Sequence, residues 1–252
     1  GTVTHPTCAL STGSVILSGL PTGYWLLNPG SIAGSGSVYT VTGLSPGTYN
    51  FTVTNAAGHN SEPSESIVIY TLPIHAKIKL YIQGLYNFST DIMVPDTANI
   101  FLRSSSIPYS LIDSAKSLID ASGSGDFYFK DASDGKYYLQ IKSINSVETW
   151  SRSGGDSLKK CSMFIYDFTT AAEKAFGSNM IQADTSPVGF AIFSGDINQD
   201  GIIDAADLSG VENDAVNSIS GYIVSDLNGD YTVDASDLSI VENNVGVSVI
   251  AP

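Results

Sequence analysis

Ten oxygen-bearing side chains recur in two short segments at matched intervals. Residues 196–207 read Asp-Ile-Asn-Gln-Asp-Gly-Ile-Ile-Asp-Ala-Ala-Asp, and 226–237 read Asp-Leu-Asn-Gly-Asp-Tyr-Thr-Val-Asp-Ala-Ser-Asp. Counted from the first Asp, positions 1, 3, 5, 9 and 12 hold Asp196, Asn198, Asp200, Asp204 and Asp207, then Asp226, Asn228, Asp230, Asp234 and Asp237. A hard cation such as calcium takes roughly six to eight oxygens, and a tight loop turns alternate side chains toward one centre. At position 7, Ile202 and Thr232 are expected to offer their backbone carbonyls. At position 8, Ile203 and Val233 are expected to pack inward and brace the loop. One such string can be an ordinary Asx-rich turn. Two in register point to two calcium ions.

Each loop runs into an amphipathic stretch, Asp207-Leu208-Ser209-Gly210-Val211-Glu212-Asn213 and Asp237-Leu238-Ser239-Ile240-Val241-Glu242-Asn243. Leu208 with Val211, and Leu238 with Val241, lie three apart and share a helical face, which is expected to form the mutual core of two helices. The segment 193–252 carries 11 acidic residues and no basic one, so it repels itself unless cations bind it. Chelation is therefore expected to unfold 193–252 and spare the rest of the chain.

This loop–helix duplication resembles the type I dockerin domain, in which two such repeats pack around two calcium ions without an entering helix and with Asp at position 12. The resemblance spans 193–252. It implies binding to a cohesin-like domain of a partner, with selectivity at loop positions 10 and 11 and helix positions 17 and 18. Those are Ala205, Ala206, Glu212 and Asn213 in the first repeat, and Ala235, Ser236, Glu242 and Asn243 in the second. The near-identity of the repeats would allow binding in either of two orientations. Tyr231 stands where Gly normally makes the turn at position 6. Gly229 at position 4 is expected to relieve part of that strain, and the second site to bind more weakly.

The remainder reads as β-structure, rich in Ser, Thr, Tyr and Val and bounded by Gly, Pro and Asn turns. In residues 1–72, strands are expected at Ser14–Leu17, Tyr24–Leu27, Ser37–Thr42, Thr48–Thr54 and Ser66–Tyr70. Pro6-Thr7-Cys8, Gly13-Ser14-Val15, Gly19-Leu20-Pro21 and the run Tyr49 to Gly58 resemble the Ig-like repeats of large secreted adhesins in the Bacteroidetes. In that family a Cys follows the Asn-Ala-Ala-Gly turn and pairs with the one near the start. His59 occupies that position here, which leaves Cys8 free or available to Cys161 or to another chain.

Residues 73–192 hold all 11 basic residues against 12 acidic ones. Lys77–Ile82, Asp126–Phe129 and Lys136–Lys142 alternate as half-buried strands do, and a short helix is expected at Thr170–Phe176. Gly125-Asp126-Phe127-Tyr128-Phe129 with Asp134-Gly135-Lys136-Tyr137-Tyr138-Leu139 is similar to the strand–turn–strand core of transthyretin-like sandwiches. The expected architecture is mainly β: two tandem sandwiches, 1–72 Ig-like and 73–192 transthyretin-like, before a small α-helical double calcium-loop domain at 193–252.

No GxSxG, HExxH, phosphate-binding loop or nucleotide fingerprint is present, so no enzyme is expected. The net charge of −14 argues against nucleic acid, and no apolar run approaches the ~18 residues of a membrane span. Trp25 and Trp150 read as core residues rather than as a carbohydrate platform. Gly1 reads as a processed end or a cut within a longer protein. The sequence points to a secreted or cell-surface calcium-binding attachment module. Its alternatives are a subunit of an extracellular filament, joining further copies through sandwich edge strands, and a carbohydrate-binding adhesin fragment.

Overall fold

The computed structural model describes residues 1–252. The fold is mainly β and falls into two compact units, Gly1–Leu72 and Pro73–Pro252.

In the first unit, Gly13–Ser18 lies between Thr2–Thr4 and Val38–Leu44, and Tyr24–Asn28 lies between Ile32–Ser35 and Thr52–Asn55. Alternate side chains of both sheets share one core that includes Val15, Trp25, Leu27 and Val41. The single strand expected at Thr48–Thr54 is two. Gly47–Tyr49 pairs with Ile67–Ile69, whereas Thr52–Asn55 pairs with Tyr24–Asn28. Between them the Phe51 N–H donates to Ser64 Oγ at 3.0 Å, so the backbone changes partners there. Trp25 is buried, its indole N–H donating to the Gly36 carbonyl at 2.9 Å, and Trp150 is buried too. Neither cysteine is a free thiol; both Cys8 and Cys161 are disulfide-bonded.

In the second unit, Asp96–Ser104 pairs with Leu111–Ile119 on one side and Gly135–Lys142 on the other; Thr149–Trp150 and Asp156–Leu158 extend that sheet. A second sheet places Ile74–Lys79 between Ser124–Phe129 and, in parallel, Phe164–Asp167. The alternation read from the sequence appears as burial in two strands, where Ile74, Ala76, Ile78, Phe127 and Phe129 are fully enclosed; the strand expected to be half-buried at Lys136–Lys142 is instead central to its sheet and buried on both faces from Tyr137 to Ile141. The helix expected at Thr170–Phe176 is replaced by two single 3₁₀ turns, Ala172–Lys174 and Phe176–Ser178. Ala175 is extended between them, at φ −95° and ψ 149°, and Gly177 at φ 63° breaks the helical path inside the second.

Two α-helices close the chain, α1 (Ala205–Val216) and α2 (Ala235–Asn244). Ile203, Val211, Val233 and Val241 are buried between them. The backbone of each loop pairs with the segment that leaves the opposite helix. Ile203 N–H donates to the Val247 carbonyl at 2.8 Å, and Val233 N–H to the Ile219 carbonyl at 3.2 Å.

The helical end is not a detached domain. Val147, from the loop after Gly135–Lys142, completes its core. Val147 N–H donates to the Phe193 carbonyl, and Gly195 N–H to the Asn145 carbonyl. The Asn244 amide donates to Gln83 Oε1 and to the Ser194 carbonyl, both at 2.6 Å. Residues 73–252 thus form one body in which a sandwich and two loop–helix repeats share a seam.

Candidate metal loops and docking face

Asp207 and Asp237 do the most to shape the two loops. Both are fully buried. Asp207 Oδ1 accepts from the N–H groups of Ile197 and Asn198, and Oδ2 from that of Asp204. Asp237 repeats this with Leu227, Asn228 and Asp234. A single carboxylate therefore ties the start of the loop to the first turn of the helix behind it. Asp204 and Asp234 complete the closure as N-caps in reciprocal capping boxes.

The inner turns are fixed by Asx bonds. Asn198 Oδ1 accepts from Asp200 N–H at 2.8 Å, and Asp200 Oδ1 from Ile202 N–H at 3.1 Å. Asn228 and Asp230 do the same at 2.8 Å each. Asp196 Oδ2 accepts from Gly201 N–H, and Asp226 accepts from Gly229 and Tyr231 N–H. The two loops thus match bond for bond at most positions.

Charge inside them is uncompensated. Asp196 Oδ1 is buried with no hydrogen-bond partner. Burial, then the charge of Asp207, pushes the Asp196 carboxyl up to about 6. Burial likewise raises Asp226, with Asp237 and Asp230 adding to the effect. Asp234 goes the other way, held below the usual range by the Ser236 hydroxyl and N–H. A buried carboxylate oxygen with no hydrogen-bond partner is a position that a cation would balance. Carboxylates alone do not gather into a metal-holding group of three or more. A complete ligand shell has to draw on the amide oxygens of Asn198 and Asn228 and on the main-chain carbonyls of Ile202 and Thr232. That donor set is all oxygen and fits a hard divalent ion.

Residues 194–246 match the dockerin type I domain family. Comparison with curated proteins returns no match. Among solved structures, two Acetivibrio cellulolyticus chains from complexes described as type II cohesin–X–dockerin resemble this one at 14% identity. Each covers 69% of this chain and 97% of its own, with TM-scores of 0.42 and 0.39. The γ-cyclodextrin glucanotransferase of an alkalophilic Bacillus clarkii is similar over 62% of this chain and 25% of its own, at 12% identity and a TM-score of 0.27.

In the dockerin-like segment, the eight positions the resemblance assigns to partner selection (Ala205, Ala206, Glu212, Asn213, Ala235, Ser236, Glu242 and Asn243) are all exposed. They form two equivalent outer faces, one on each helix.

One expectation needs correction. Gly229 does not relieve strain at Tyr231. Positions 4 and 6 are both left-handed in both loops, with Gln199 at φ 59° and Gly201 at 95°, and Gly229 at 74° and Tyr231 at 69°. Each position has its own conformational demand, so Tyr231 keeps a strain that glycine would not have.

Gln83, Asn145 and Val147, which with Asn244 hold the loops to the sandwich, carry no local signal in the sequence. Asn244 is the one with a visible cue, an amide in the last helical turn of an otherwise apolar face.

Proposed function

We propose that this chain is a secreted, non-catalytic attachment module that binds two calcium ions and docks through its dockerin-like segment onto a cohesin-type domain. Calcium is held by Asp196, Asn198, Asp200, Ile202, Asp204 and Asp207, and by Asp226, Asn228, Asp230, Thr232, Asp234 and Asp237, with Ile202 and Thr232 acting through their carbonyls. The ion supplies the positive charge that lets the acids of each loop converge. Asp207 and Asp237 pass that order to α1 and α2, which present the docking faces.

The observation that carries the reading is the repeated carboxylate clamp, three backbone N–H groups on one buried Asp in each loop. The test is titration calorimetry of the whole chain against type I and type II cohesin domains, in calcium and in chelator. Calcium-dependent binding is expected, lost only when Glu212, Asn213, Glu242 and Asn243 are replaced together, because either face can serve. Absence of capture by either cohesin, with filaments or discrete oligomers forming in calcium, would replace docking with the structural-subunit reading.

A further inference from the structure

Asparagine followed by glycine occurs once in the chain, as Asn228–Gly229, at positions 3 and 4 of the second loop. Glycine leaves its own main-chain nitrogen open to the preceding side chain, because no Cβ stands in the way and the backbone turns freely. That nitrogen can give up its proton and attack Asn228 Cγ. The N–Cγ bond forms, the Cγ–Nδ2 bond breaks, the side-chain nitrogen leaves as ammonia, and a succinimide ring remains. Water then opens the ring at one carbonyl or the other, giving aspartate or isoaspartate. No reactant besides water is needed. Asp134–Gly135 and Asp200–Gly201 can close the same ring, but there an acid must expel water, which is slower.

The folded loop engages each reacting group. Gly229 N–H donates to Asp226 Oδ1 at 2.9 Å, so the nucleophile keeps its proton beside a carboxylate. Asn228 Oδ1 accepts from Asp230 N–H at 2.8 Å, and the Asn228 amide donates to Asp230 Oδ2 at 3.1 Å and to Ser236 Oγ at 2.7 Å. Asn228 N–H donates to the buried Asp237 at 3.1 Å. Backbone and side chain are both pinned, and ring closure would have to break the bonds at Gly229 N–H and around the Asn228 amide. The seam also keeps the labile pair in place, since a side chain at 229 would strike Leu85 and Val94. The first loop carries Asn198–Gln199 at the same positions and lacks the pair.

We propose that Asn228–Gly229 is a self-modification site that the folded second loop keeps closed and that calcium loss opens, so that time spent without the ion is recorded as isoaspartate in that loop. This rests on the calcium reading above, in which chelation unfolds the loop and frees Gly229 N–H and the Asn228 amide together. Isoaspartate routes the main chain through the former side chain and adds a methylene between positions 3 and 4. The donor spacing is then lost, and the marked loop cannot regain its ion while the first loop can.

The test ages the full chain in mildly alkaline buffer in excess calcium, in chelator, and in chelator with denaturing urea. Peptide mass mapping over 226–237 follows the conversion, with isoaspartate told from aspartate by electron-transfer fragmentation. Conversion at Asn228 should be roughly tenfold or more faster in chelator than in calcium and approach the rate in urea, because a reaction confined to the open loop follows its population. Returned to calcium, the aged chain should bind fewer than two ions by calorimetry, in proportion to its isoaspartate. Equal conversion in calcium and chelator, in a chain that calorimetry shows to hold two ions, would overturn the proposal and leave the calcium reading standing. A chain that binds no calcium before ageing would overturn both. An isoaspartyl chain that still takes up two ions would overturn the loss of the second site.

Discussion

Removing calcium should reverse the pH dependence of stability in the unit Pro73–Pro252, and Asp196 sets the size of the effect. In the ion-free fold its carboxyl is raised from an ordinary 3.8 to about 6 by burial and by Asp207. A raised acid favours the fold while it is protonated, and that contribution is lost as pH climbs from below 3.8 through 6. Between pH 7 and pH 5 the folded chain takes up most of one proton that the unfolded chain does not. This amounts to about 1.4 kcal/mol in favour of pH 5, cut to about 1 kcal/mol by solvent screening at the loop. For a unit of this size that is about 2–4 °C in Tm. Asp226 is raised for the same reason and adds in the same direction. With calcium bound the sign inverts. The ion must displace the Asp196 proton, so affinity for the first loop falls up to tenfold per pH unit below 6, and stabilisation by the ion falls with it. Differential scanning calorimetry at pH 5 and 7, in chelator and in excess calcium, measures all four values. Asp196→Asn should flatten the ion-free difference. A Tm that falls from pH 7 to pH 5 in chelator as steeply as it does in calcium would refute the argument.

Asp207→Ala should lower the calcium stoichiometry from two to one by calorimetry and cost at least ~2 kcal/mol, because three N–H groups lose their acceptor; Asp237→Ala should match it at the second loop. Tyr231→Gly should tighten the second site and stabilise the unit by up to ~1 kcal/mol in a denaturant titration, since left-handed backbone costs a tyrosine more than a glycine and the ring is exposed. At Gly84 an added Cβ would sit 2.2 Å from the Leu227 carbonyl oxygen. Gly84→Ala should therefore destabilise Pro73–Pro252 by ~1–3 kcal/mol and leave Gly1–Leu72 melting unchanged; a neutral result would mean the seam yields. In hydrogen exchange, chelation should cost residues 143–148 their protection together with 193–252, and retention of protection at Val147 would show that the loops unfold alone.

The loops were legible as a repeat because acids and amides recur at fixed spacing, and at the last of those positions Asp207 and Asp237 each accept three backbone N–H groups. The sheets were legible wherever one face is buried, as in Ile74–Lys79 and Ser124–Phe129, and Gly135–Lys142 departs from that pattern because it is covered on both faces. Alternation failed at Thr48–Thr54, because period-two patterning reports burial and says nothing about which neighbour a strand pairs with. The boundary at residue 193 was read from a change in charge. Charge marks where cations are needed, whereas Val147 entering the repeat core is a matter of shape with no local signature.

The two repeats are nearly identical in sequence but meet different surroundings, and this accounts for the displaced glycine. Position 4 is left-handed in both loops, and Gln199 shows that a side chain can tolerate it. Gln199 also uses its amide, which donates to the Ser146 and Asp196 carbonyls at 3.2 and 2.8 Å. At the equivalent Gly229 a Cβ would lie 2.9 Å from Leu85 Cδ2 and 3.0 Å from Val94 Cγ1, inside the sandwich wall. Glycine is needed there for space as much as for conformation. At position 6 of the second loop the Tyr231 ring is exposed to solvent and has room. The seam therefore excludes a side chain at 229 and admits one at 231, the reverse of the first loop, and it makes one end of an internally symmetric element distinct from the other.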